Sequence, residues 1–379
     1  MLIEIRKAGF VNKGAELMLH AVLQKVQKSY PESKFAMAPF FEAPYIKRAQ
    51  LGLLQKVWLW RYRVQWGGLA ALVPQKTRQM YGVVLDSEID IVLDVAGFAY
   101  GDQWGSRSCD ELAYSCKRWH KQKTKVILLP QALGPFTSAR IKDRIMRAVD
   151  NMDLIFPRDT ISYQYLTDVV GMRSNIIMAP DFTNLLEGIL PSDFDVDKNK
   201  FCIIPNYRMI DRTSPEQSAA YLPFMVKCSR YLFAKGIKPF LLVHEGENDL
   251  KLANQINEAM HGSMAIVQES HPLRIKGIIG ACEGTIGSRF HGLVSALSQG
   301  VPSLSTGWSH KYKALLNQYN FDDGFTNVME EDENIFKKID IITEPYSKKK
   351  IQSMIINKSK ELKGQTEMMW EKVFKIIGI

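Results

Sequence analysis

The sequence contains no run of about 18 uncharged apolar residues, so nothing in it is expected to span a membrane as a helix. Its cysteines are few and unpatterned: Cys109, Cys116, Cys202, Cys228 and Cys282 are odd in number, widely spaced and without a Cys-x-x-Cys pair. That argues against a disulfide framework and a zinc site, and fits free thiols in a reducing cytoplasm. The residues at the start of the chain are not expected to act as a secretory signal, because Glu4 and Arg6 interrupt the apolar stretch one would need. Also missing are metal-ligand spacings, a Walker loop and the Gly-x-Gly-x-x-Gly dinucleotide fingerprint. No metal or cofactor is therefore expected, and there is neither an internal repeat nor a low-complexity tract.

What is present has the balance of a globular protein, 46% hydrophobic and 23% charged, and 379 residues exceed one compact core. The net charge of +9 implies attraction to something anionic: a phosphorylated small molecule, anionic lipid or nucleic acid. Short β-rich apolar runs alternate with stretches of helical period, which predicts the α/β class built from two Rossmann-like, doubly wound domains facing a ligand cleft. Strands are expected at 89–95, 125–129, 154–156, 201–204, 239–243, 284–287 and 302–304, and helices at 13–27 and 159–170. Asp159 is the expected cap of the latter and Gly171 its stop. The polar, aperiodic stretch 188–198 divides an N-terminal domain, 1–185, from a second, 199–340. A terminal helix, 345–379, either packs on the surface or crosses back to brace the first domain.

Chemistry is concentrated at predicted strand ends. Arg289 and His291 follow the 284–287 strand at the first turn of a helix, the edge where doubly wound folds bind ligands and where helix N-termini favour anions. Arg158 leaves the 154–156 strand in the same way, and Lys311, beside His310, opens a helix after the 302–304 strand. The turn Gly9-Phe10-Val11-Asn12-Lys13-Gly14 lets backbone approach a ligand. Tyr100, Asp102 and Trp104 lie in a Gly-rich aromatic loop suited to stacking on a pyranose and holding its hydroxyls. Taken singly, each segment is also what an ordinary turn, a paired arginine or a solvated lysine would produce.

The set resembles the polysaccharide pyruvyl transferase family from about Gly9 to Leu316. The similarity is strongest at Asn12-Lys13-Gly14-Ala15-Glu16, the Pro130-Gln131-x-x-Gly134-Pro135-Phe136 segment, Arg158-Asp159, Pro180-Asp181 and Arg289-x-His291. Ala96-Gly97 departs from the glycine run that many members carry. The resemblance implies two Rossmann-like domains similar to GT-B glycosyltransferases, phosphoenolpyruvate as donor and sugars of cell-surface polymers as acceptors. It implies that Arg158, Arg289 and Lys311, with the Asn12-Lys13-Gly14 turn, bind the donor, and that Asp102, Trp104, Tyr100 and His310 face the acceptor. His291, as general acid, would protonate the enol methylene, and two sugar hydroxyls would then close a pyruvate ketal.

One further segment interleaves Lys47, Arg48, Lys56, Arg61 and Arg63 with Trp58, Trp60, Tyr62 and Trp66. As a helix it would suit the inner membrane face, where acceptors on lipid carriers reside; packing on the domain explains it as well, and no nucleic-acid motif accompanies it. The competing enzyme reading is a GT-B glycosyltransferase using a nucleotide sugar, which would want an acidic residue for the ribose; no convincing one follows the Arg289–His291 helix. A catalytically silent sugar- or lipid-binding protein is the reading from another class.

Overall fold

The computed structural model describes residues 1–62 and 64–378. They form two compact units, residues 1–182 with the chain from Gln365 onward, and residues 183–364.

The first unit contains β1 (Leu2–Arg6), β2 (Lys34–Met37), β3 (Leu54–Lys56), β4 (Trp60–Arg61), β5 (Val64–Gln65), β6 (Val83–Val84), β7 (Ile91–Asp94), β8 (Lys125–Gln131) and β9 (Leu154–Pro157). Seven of them make a parallel sheet in the order β6-β3-β2-β1-β7-β8-β9, and β4 and β5 pair as a separate antiparallel ribbon. β1, β7 and β9 are buried almost throughout, as a sheet with covered faces requires, which is why they read as apolar runs. Helix Lys13–Ser29 crosses from β1 to β2; Asn12 caps it by accepting from Ala15 N at 3.1 Å, and Met18, Leu19, Val22, Leu23 and Val26 are buried. Asp159 caps helix Thr160–Val170 and Gly171 ends it at φ 74°. From Gln365 onward the terminal helix Pro345–Ile377 sets Trp370 edge-on to Phe182 at 6.2 Å and Phe374 edge-on to Tyr30 at 5.2 Å.

Strands β2, β3 and β6 were not expected, because two to four residues are too few to display a period. The basic-aromatic segment is not the helix considered above: a short helix ends at Gln50 and the chain continues as β3, β4 and β5. β-Branched and aromatic residues there favour extended backbone. Arg63 of that segment lies outside the described residues.

The second unit holds β10 (Phe201–Ile204), β11 (Pro239–Val243), β12 (Ile266–Gln268), β13 (Gly284–Gly287) and β14 (Ser303–Ser305), parallel in the order β12-β11-β10-β13-β14. Glycine at 284 is dictated by packing, since a Cβ there would lie 2.5 Å from the Phe201 ring of neighbouring β10. Ile355 and Leu362 of the terminal helix join this unit's core. All five cysteines are free and buried. No helix among the described residues is long and apolar enough to cross a membrane.

Candidate functional site

In the second unit the strand order reverses between β10 and β13, the point where doubly wound sheets bind ligands. Ser288 leaves β13 fully buried; its hydroxyl bonds that of Tyr221, and its carbonyl accepts from Tyr312 Oη at 2.8 Å and from the Asn206 amide. Asn206, just past β10, donates its backbone N–H to Tyr221 Oη at 3.0 Å. These bonds fix the backbone immediately before Arg289.

Arg289 is 8% exposed and is held by two carboxylates. Its Nε donates to Asp249 at 2.8 Å, Nη2 to the other oxygen of that carboxylate, and Nη1 to Glu245. Burial disfavours its charge, but Asp249 and Glu245 outweigh burial and hold its pKa above the usual value. Burial raises the Asp249 pKa in turn, with Arg289 opposing. Sequence reasoning places Arg289 as a cation open to a donor. In the structure one positive charge faces two negative ones, and two of its five N–H groups remain beyond these three bonds. Glu245 and Asp249 were missed. An acidic pair one helical turn apart, directly after strand β11, was the available signal.

His291 is half-buried in the first turn of helix Phe290–Leu297, edge-on to the Phe290 ring at 5.3 Å. His244, buried at the end of β11, packs on the same turn: its Cδ2 lies 3.8 Å from where a Cβ of Gly292 would stand. Lys311 Nζ lies 4.8 Å from the Trp308 ring centre, 5.1 Å from Phe290 and 5.6 Å from Tyr312, the aromatic seating that suits an ammonium. His310 is half-buried beside it. The segments after β13 and β14 thus bring Arg289, His291, His310 and Lys311 to one sheet edge, where His244 and Glu245 after β11, and Asp249 of helix Gly246–Ala259, are added.

In the first unit the order reverses between β1 and β7, where Arg6 stands opposite Asp94 in register. Arg6 reaches Asp94, Glu111 and the Tyr100 hydroxyl, and Tyr100 donates to Asp94 at 2.7 Å. Tyr100 is fully buried, so its ring is not offered to a sugar, contrary to the sequence reading. Asp102 accepts from Thr137 N at 2.6 Å and Ser138 N at 3.4 Å, which ties its loop to the start of helix Ala139–Val149. Burial would raise its pKa, but these backbone bonds lower it. Trp104 remains 37% exposed. Asn12 is occupied as a helix cap, Lys13 pairs with Glu16 at 2.6 Å, and Gly14 is buried. Arg158 is buried and donates to Asp181 at 2.8 Å, the acid in the Pro180-Asp181 pair.

Beside Arg6 opens a pocket of about 360 Å³ lined by Lys7, Phe40, Trp58, Trp60, Arg107 and Glu111. Lys7 holds φ 64°, a conformation that non-glycine residues adopt mainly where surroundings impose it. Sequence reasoning passed over this pocket. The signal was Glu4 and Arg6 inside an otherwise apolar strand, since charges in a sheet covered on both faces must be paired.

Burial would raise the Glu111 pKa, but Arg6 and Lys7 overturn that and bring it to about 2. A carboxylate depressed from 4.5 contributes stability that is present above its unfolded value and lost as pH falls toward about 2. Glu111→Gln is therefore expected to cost about 3 kcal/mol at neutral pH and to flatten the fall in melting temperature between pH 4.5 and 2. Thermal melts across that range check this, and parallel curves for the two proteins would refute it.

Two parallel, doubly wound sheets with the same reversal of strand order place the protein in the GT-B-like α/β class. Anabaena HepE in complex with UDP is similar in structure, at 15% identity and TM-score 0.59, covering 99% of each chain. UDP-GlcNAc 2-epimerase from Neisseria meningitidis bound to UDP-GlcNAc is similar at 11% identity and TM-score 0.60, covering 99% of this chain and all of that one. No curated protein matches in sequence. The model of the polysaccharide pyruvyl transferase family matches residues 12–310, and the chain belongs to that family.

Proposed function

We propose that the protein transfers the pyruvyl group of phosphoenolpyruvate to hydroxyls of a sugar used in cell-surface polysaccharide. The observation that carries this reading is Arg289-x-His291 at the switch point of the second sheet, in a chain of the pyruvyl transferase family. Phosphoenolpyruvate brings close to three negative charges in a small volume, and arginine geometry suits both its phosphate and its carboxylate. Lys311, the first turn of helix Phe290–Leu297 and the two further Arg289 N–H groups would receive the anion. His291 delivers a proton to the methylene carbon, and the neighbouring carbon takes on cationic character and is attacked by a sugar hydroxyl. A second hydroxyl of that sugar displaces phosphate and closes the ketal. No metal or cofactor is needed. Trp58, Trp60 and the charged groups of the first-unit pocket suit an acceptor sugar, as does exposed Trp104.

A nucleotide-sugar reaction is the second reading, favoured by the ligands named for the similar structures. The carboxylate it wants for a ribose is present as Glu245, engaged by Arg289. Ligand-induced thermal shift separates the two. Phosphoenolpyruvate is expected to raise the melting temperature of the intact protein, and UDP and UDP-sugars are not. Stabilisation by a UDP-sugar alone would replace the pyruvyl transfer reading with the second.

A further inference from the structure

Between Ala43 and Leu85 the chain carries seven basic residues and no acidic one. Three of the seven are used internally. Arg48 donates to the carbonyls of Ala43 and Met37, Lys56 pairs with Glu4 and Asp86, and Arg78 pairs with Glu88. Lys47, Arg61 and Lys76 stay on the surface. Large apolar side chains are exposed among them: Leu59, Tyr62, Val64 and Trp66 on or beside the β4–β5 ribbon, and Leu69 and Leu72 on the turn Gly67–Leu72. Leu72 is 85% exposed, Tyr62 79% and Leu69 64%.

Local bonding holds this display in place. The Gln65 side chain accepts from Leu59 N at 2.8 Å and Gly67 N at 2.9 Å and donates to Val57 O at 3.2 Å. Trp66 Nε1 donates to Arg61 O at 3.2 Å. Gly67 is pressed so close to Val57 that a Cβ would lie 2.4 Å from its carbonyl oxygen. The segment therefore fixes in water a group of side chains that water disfavours, which marks a surface made to be covered.

Charge selects the partner. Tryptophan and tyrosine settle at the headgroup layer, leucine enters the acyl boundary, and lysine and arginine meet lipid phosphate; an acid-free segment suits a negatively charged leaflet. We propose that residues 59–62 and 64–72 dock the protein peripherally on an anionic lipid surface. Trp60 of the same ribbon lines the first-unit pocket, so docking sets that pocket at the headgroup layer. If the pocket takes the acceptor, as in the function proposed above, this favours a sugar carried on a lipid. The docking itself does not depend on that function, and its test uses no activity.

The test is co-sedimentation of the intact protein with vesicles of phosphatidylcholine alone and of phosphatidylcholine mixed with phosphatidylglycerol. Binding is expected to the mixed vesicles only, weakening as salt is raised. The variant Leu69→Ser/Leu72→Ser and, separately, Arg61→Glu should each weaken it about tenfold or more. All three residues are exposed, so wild-type melting temperatures are expected and are measured alongside. Absence of binding to mixed vesicles overturns the proposal, and so does binding that both variants leave unchanged. Light scattering covers the other occupant: a dimer that Leu69→Ser/Leu72→Ser dissociates, without lipid binding, assigns the surface to a second copy of the chain and also overturns it.

Discussion

Arg289→Ala is expected to destabilise the folded protein by about 3–5 kcal/mol, before any effect on chemistry. Asp249 is wholly buried and its carboxylate accepts from Arg289 Nε and Nη2, while Glu245 accepts from Nη1. Removing the guanidinium leaves two carboxylates facing each other with little water to screen them. That loss is a large share of the stability of an ordinary domain. Urea denaturation measures it, and a midpoint equal to that of the wild type would show that the acidic clamp does not hold the second unit together. The double variant Arg289→Gln/Asp249→Asn replaces one charged pair by neutral groups and keeps an acceptor for Tyr207 N, which bonds Asp249 at 2.9 Å. It is expected to recover most of the stability. Its response to phosphoenolpyruvate then isolates what Arg289 contributes to the donor: restored stability without ligand-induced shift assigns the arginine both roles.

His291→Ala should give the opposite profile. The side chain is half-buried, so its truncation is expected to cost about 1 kcal/mol or less. Turnover at saturating phosphoenolpyruvate should fall about 10²–10⁴-fold, the usual contribution of a positioned acid–base group. Phosphate release with acceptor present measures this, and donor affinity from thermal shift should change far less. Unchanged turnover would remove His291 from the proton transfer and direct attention to His244, which packs against the same helix turn, or to His310.

Cues that lie within a few residues of each other could be read before the fold was known. The apolar runs of β10, β11 and β13 stand at their expected residues, because buried parallel strands admit few polar positions. Asp159 caps its helix as read, since a cap is decided by a side chain and an N–H three residues on; Asn12, read as part of a donor-binding turn, proves to be a cap of the same kind. Arg289 and His291 stand where a strand end followed by a helix start must put them. Their environment was decided by residues far along the chain: Asp249 lies 40 residues from Arg289, and Glu111 lies 105 from Arg6. The basic-aromatic segment shows the same limit. Its composition marked it as unusual, but whether Lys56 is buried against Glu4 and Asp86, or Leu72 left in water, depends on which strands the sheet sets beside it. The sequence by itself determined the fold class, the cap at Asp159 and the residue types brought to each sheet edge, because backbone propensity and hydrophobic period act over short spans. Which charge neutralises which, which aromatic ring is buried and which apolar ribbon faces solvent were decided by tertiary structure, because burial and ion pairing join residues that only the completed fold brings together.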